Sequence, residues 1–214
     1  MKGLLHKEFM LVGKQLKLGA VVFIALIFLF NLPKDSDSFS PASYIEAYTL
    51  MMSIVLTMST FAYDEQTKWN IYALSLPVSK NQIVRSKYLF ALIILGLTSV
   101  VFVPMMFFLP GGFSEEQVFS IQIIISLALL FIALMIPLIY RFGTQKFRVA
   151  FLAIFFGSIA LAFLVKQLNL FSLSSFQMDE AGLNRAVFFL LLLSVALLVV
   201  SYFISCRIFS KKEV

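Results

Sequence analysis

The chain is poor in the residues that carry most enzyme chemistry. It has one cysteine, one histidine and one tryptophan among 214 residues. A single cysteine closes no internal disulfide. Cys206 sits in the last apolar run, where it reads as a small lipid- or helix-facing residue, with acylation as the alternative. His6 has no further ligand converging on it, so it points to headgroup contact rather than to a metal. There is no cysteine pair and no serine–histidine arrangement, and Glu46 and Glu65 are too isolated to form an acid–base pair. Gly111 and Gly112 are not followed by the lysine and hydroxyl of a phosphate-binding loop, so the chain is not itself an ATPase. A cleavable signal peptide is also missing: the first apolar run passes into Asn31, Leu32 and Pro33 with no small-residue cleavage site. Charge is scarce, at 13% of residues against 61% hydrophobic, and the mean hydropathy of +0.97 lies far above that of a soluble globular domain.

What is present is a series of apolar runs, several reaching the roughly 20 residues needed to cross a bilayer. They predict an all-α integral membrane protein, a single domain over 1–214, with six transmembrane helices near 18–32, 44–62, 88–109, 118–140, 147–164 and 186–206. Asn31 and Pro33 end the first span, and Lys34, Asp35 and Asp37 follow in a short polar loop. Pro104 predicts a kink near the outer end of the third. Pro110 to Gly112 make a break, after which Ser114 and Gln117 fit a capping box for the fourth. Residues 141–146 make a tight basic loop. The longer loop 166–185 contains Ser172, Ser174, Ser175, Asp179 and Glu180 and has room for a short interfacial helix.

Before the first span, Leu5, Phe9, Val12 and Leu16 recur at spacings of three and four, with Lys7 and Lys14 on another face. That pattern predicts an N-terminal amphipathic helix over 1–17 lying in the headgroup region. A simple extension of the first span is the alternative. In the second span Glu46, Thr49, Ser53, Thr57 and Thr60 share one side of the helix. Such a stripe serves helix packing, or lines a substrate path or a dimer seam, or bonds back to its own carbonyls.

Six spans put both termini on one side. Fourteen of the 17 lysines and arginines fall on that side. Only Lys34, Lys166 and Arg185 fall on the other, together with Asp35, Asp37, Glu115, Glu116, Asp179 and Glu180. The positive-inside rule therefore predicts cytoplasmic termini and a cytoplasmic loop over 63–87. The +6 net charge is a topology signal, not a nucleic-acid one.

The 63–87 loop is the most structured polar stretch in the sequence. Asp64 and Glu65 open a helix-forming segment that carries Trp69 and Tyr72, residues suited to headgroup level. Pro77 breaks it and biases Leu76 to an extended shape. Ser79 with Gln82 forms a second capping box, and Lys80, Arg85 and Lys87 crown the third span. The predicted shape is helix, turn, helix. It serves either as a basic connector that fixes topology or as a docking element, with Leu74, Leu76 and Val78 as an apolar knob and Asp64, Glu65 and Lys80 as polar contacts.

The stretch YDEQTKWNIYALSLPVSKNQIVRSKYL, with the basic opening MKGLLHKEF, resembles the ABC-2 type permease family of ABC transporters. The resemblance implies the following. The chain is the transmembrane permease subunit of an ATP-driven exporter of the bacterial cytoplasmic membrane. It has no ATPase site of its own; ATP and magnesium are held by a separate cytoplasmic ATP-binding subunit. The coupling segment centres on Glu65 and on Leu74, Leu76, Pro77 and Val78. A second permease subunit, alike or unlike, completes the assembly, and the size resembles members that export amphipathic or antimicrobial peptides or confer immunity to them. A scaffold or immunity protein that binds a peptide or lipid without moving it is the alternative; an intramembrane enzyme is the least supported.

Overall fold

The computed structural model describes residues 2–30, 41–75, 77–106, 115–167 and 180–211. These residues form seven α-helices, with no strand among them. They are α1 (Lys2–Phe30), α2 (Pro41–Gln66), α3 (Trp69–Ser75), α4 (Lys80–Met106), α5 (Glu115–Phe142), α6 (Thr144–Gln167) and α7 (Glu180–Lys211). Leu76, Ser114, the 31–40 loop and most of the 166–185 loop lie outside the described residues.

Among the described residues, three helices combine the length and apolarity needed to cross a membrane, over Lys80–Val100, Val118–Phe142 and Gly182–Lys211. They overlap the third, fourth and sixth predicted spans. Residues 107–109 of the third and 31–32 of the first lie outside the described residues; otherwise the first, second and fifth fall within α1, α2 and α6. These have 29, 26 and 24 residues, so at about 1.5 Å per residue each exceeds a hydrocarbon core of roughly 30 Å. The outward faces are greasy. Val149, Ile154 and Phe156 on α6, and Phe188, Phe189 and Phe203 on α7, are exposed, a surface that suits lipid and would aggregate in water.

At the N-terminus the amphipathic stretch runs without a break into the first predicted span, as the alternative of a simple extension has it: α1 is a single helix from Lys2 to Phe30. The local reason is that no proline occurs before Pro33, and isolated Gly13 and Gly19 are tolerated inside a helix. The tertiary reason is that the apolar stripe is covered by protein. Leu5, Phe9 and Leu16 pack against a cluster of Val12 from α1, Leu56 from α2, and Phe90 and Ile94 from α4. The Phe9 ring meets Phe90 edge-on at 5.3 Å. Higher up, Gly19 lets α1 and α2 approach closely: a Cβ there would collide with Met52 Cε, and the Tyr48 hydroxyl donates to the Gly19 carbonyl.

The larger core joins α2, α4, α5, α6 and α7 through Phe61, Val84, Ile132, Ile136, Phe147 and Phe209. The Tyr88 hydroxyl ties α4 to α7, 2.7 Å from Ser201 Oγ and 2.8 Å from Ser205 Oγ. Ser201 in turn donates to the Ala133 carbonyl of α5. Turn chemistry behaves as the sequence predicts at Pro77, which separates α3 from α4. The Ser79 amide donates to Gln82 Oε1 and the Gln82 amide to Ser79 Oγ, each at 3.3 Å, so the capping box at the head of α4 is formed. Two further turns use left-handed backbone. Lys68, at φ 51°, ends α2, and Gly143, at φ 86°, ends α5 and lets α6 begin at once.

Candidate functional site

One end of the bundle gathers the start of α1, the end of α2, all of α3, the start of α4, the α5–α6 turn and the end of α7. Side-chain contacts hold them there, and four polar residues of the 63–87 stretch, Asp64, Glu65, Lys80 and Lys87, take part in them.

Asp64, in the last turns of α2, is buried. Its Oδ2 lies 2.6 Å from Lys87 Nζ of α4, and its Oδ1 pairs with Lys7 Nζ of α1. Glu8, equally buried, completes the group. Its Oε2 lies 2.9 Å from Lys87 Nζ and its Oε1 3.2 Å from Lys7 Nζ. The four side chains form a closed ring of alternating sign, Lys7–Glu8–Lys87–Asp64, with no net charge. Lys87 also sits 4.8 Å from the centre of the Phe61 ring, and Lys7 4.3 Å from that of Trp69. An ionised group in such a place is tolerable only because each has two opposite charges against it.

Glu65, next in sequence, points elsewhere. Its Oε2 accepts from the Thr144 amide at 2.9 Å and from the Thr144 hydroxyl. Thr144 opens α6, so Glu65 is an N-terminal cap supplied from another helix, favoured by the positive end of the α6 dipole. Gly143 makes room for it, since a Cβ there would lie 2.9 Å from Glu65 Oε1. Lys80 reaches the opposite kind of end: its Nζ donates to the Ser210 carbonyl at 3.2 Å, in the last turn of α7.

The apolar members are divided. Val78 is half-buried against the core and Pro77 is exposed. The Leu74 side chain and all of Leu76 lie outside the described residues. On α3, Ile71 and Tyr72 are 56% and 58% exposed, which makes them the large apolar groups this segment turns outward. Trp69 faces in, against Lys7 and the core.

The stripe on α2 is buried within this one chain at Thr49, Ser53, Thr57 and Thr60. Its hydroxyls bond backwards along their own helix: Ser53 to Leu50, Thr57 to Ser53 and Thr60 to Thr57 carbonyls, at 2.8 to 2.9 Å. The Glu46 side chain is outside the description. Between Asp64, Glu65, Lys87, Tyr140 and Thr144 lies a cavity of about 70 Å³, far below the roughly 300–1,000 Å³ of a ligand pocket.

Sequence reasoning missed Glu8 and gave Lys87 only a topological role. Both carried a signal. Glu8 stands between Leu5 and Val12 at spacings of three and four, an acid within an apolar stripe. Lys87 likewise lies four residues from both Ile83 and Ala91. Asp64 extends the α2 stripe by one more four-residue step beyond Thr60.

A family model described as ABC-2 family transporter protein matches residues 3–210. The chain belongs to that family. It is therefore a membrane protein and a permease subunit of an ABC transporter, in a family whose membrane subunits associate with an ATP-binding subunit and typically lack an ATPase site of their own. No curated protein and no solved structure matches it. Within this ABC-2 permease the described end is thus where the helix termini and their charged tethers converge, and α3 is the short helix there that turns Ile71 and Tyr72 outward.

Proposed function

We propose that this permease exports an amphipathic or antimicrobial peptide, or another hydrophobic solute, across a bacterial cytoplasmic membrane, driven by ATP and magnesium in a separate subunit that docks on the 63–87 segment. The observation that carries this reading is the convergence itself. Asp64, Glu65 and Lys80 tie the segment to α1, α4, α6 and α7. Ile71 and Tyr72 meanwhile face outward. A partner pressing on α3 has an apolar surface to hold and a connection to five of the other helices. In this reading both termini are cytoplasmic and one domain of six spans forms each permease subunit.

Two permease subunits complete the transporter, alike or unlike. We assign the path to the seam between the two copies; the cavity of about 70 Å³ beside the charged ring is too small for a peptide. Thr49, Ser53, Thr57 and Thr60 we assign to packing inside one chain, because all four are buried within it and the hydroxyls of the last three are bonded locally. Cysteine scanning along α2 checks this: water accessibility with a three-to-four period over these positions would return the stripe to a path or a dimer lining.

Co-purification from native membranes tests the docking reading. An ATP-binding subunit is expected to accompany the wild-type chain and to be lost on Ile71→Asp with Tyr72→Asp. ATP-dependent efflux from vesicles separates a transporter from a scaffold or immunity protein. A chain that brings down no ATP-binding subunit would sink the proposal.

A further inference from the structure

The docking reading uses the two Asp64 pairs of the four-charge ring and leaves the Glu8 side of it unexplained. Ring members come from three helices far apart in sequence, and every acid touches both lysines. Burying four charges is a poor way to gain stability, since well-packed apolar residues do as well or better. What such a ring does well is fix register, because its geometry is satisfied in one arrangement of the three helices. Its position is informative. Asp64 is the first polar residue of the 64–80 segment, and Lys7 touches both Asp64 and Trp69 of α3. The α1 helix is unbroken from Lys2 to Phe30, so a shift at Lys7 and Glu8 moves a rod rather than a hinged extension.

We propose that Glu8 and Lys87 are positioning residues that hold Asp64, and with it the partner-facing segment, in register with α1, so that displacement of the segment by a nucleotide-bound partner is carried to the N-terminal helix. This rests on the docking reading above.

Alternation of sign makes the ring distinguishable from a simple ion pair. Exchanging Glu8 and Lys87 does not rescue it. The exchange sets two lysines side by side on α1 and two carboxylates side by side between α2 and α4. An isolated pair would tolerate the same exchange.

The test uses the full chain with its ATP-binding subunit in lipid nanodiscs, in a Cys206→Ser background. Spin labels are placed at Met10→Cys on α1 and Val149→Cys on α6, both well exposed. The distance between them is measured with and without a non-hydrolysable ATP analogue. Wild type and Lys87→Arg are expected to show a nucleotide-dependent shift. Lys87→Met, and Glu8→Gln combined with Lys87→Met, are expected to lose it while the ATP-binding subunit still co-purifies. If Lys87→Met does not accumulate, the double variant, which keeps the Lys7–Asp64 pair, decides. A full shift in the double variant, or its restoration by exchanging Glu8 and Lys87, overturns the inference alone. Failure of the ATP-binding subunit to accompany wild type overturns the docking reading instead.

Discussion

Two polar regions of α2 sit about one helical turn apart and behave in opposite ways. From Ser53 to Thr60 the hydroxyls of the stripe bond to carbonyls of their own helix, so they fill space between helices without linking them. From Asp64 onward the polar groups bond across helices, to α1, α4 and α6. The difference follows from reach and charge. A threonine hydroxyl is short and finds its own carbonyl three or four residues back. A carboxylate cannot be satisfied there, because a helix carbonyl offers no proton, and must find a donor or a cation elsewhere. The Ser53, Thr57 and Thr60 hydroxyls are thus a weak guide to contacts between helices, whereas the acids at the end of α2 are a strong one.

That contrast breaks first at the ring. Lys87→Met leaves two buried carboxylates sharing Lys7, and breaking a buried pair from one side costs about 3–5 kcal/mol. A large fall in thermal stability of the purified permease is expected, with Glu8→Gln added to Lys87→Met recovering part of it. Equal losses in the single and double variants would show that the charges are not coupled. Next comes Gly143→Val, which forces a β-branched residue to φ 86° and pushes a side chain at Glu65. Strain of that kind costs on the order of 1–3 kcal/mol, and limited proteolysis at the α5–α6 turn should report it. Glu65→Ala removes the cap on α6 and is expected to cost about 1 kcal/mol, visible as faster hydrogen exchange at Thr144 and the amides after it. Smallest is Thr57→Val, which deletes a local bond while keeping shape. Its melting temperature should stay close to wild type, within about 1 kcal/mol. A Thr57→Val effect as large as that of Lys87→Met would erase the distinction between the two regions.

Local features were legible in the sequence. Pro77 ends α3, and Ser79 with Gln82 caps α4, because both are decided within four residues. Long apolar runs announced a helical membrane protein, and the basic bias grouped the loops that the contacts of Asp64, Glu65 and Lys80 do bring together. The ring was not legible. Lys87 and Glu8 are 79 positions apart, and Lys7 and Asp64 are 57 apart. Periodicity says which residues share a face but not which faces meet. The same gap explains α1: an amphipathic basic stretch looks the same whether its apolar side rests on lipid or on Leu56 and Phe90. Glu65 was singled out for its position after a span, yet nothing local tells that it caps α6 while its neighbour Asp64 turns inward.

The ring also constrains how the protein is made. Synthesis runs from the N-terminus, and Glu8 leaves the ribosome 79 residues before Lys87. Until Lys87 is made, Lys7 is the only ring cation present, and Asp64, made before Lys87, adds a second negative charge rather than a partner for Glu8. The ring is begun in the first helix to be translated and closed only by the fourth, so its two-cation enclosure of Glu8 is complete only once α4 has been made.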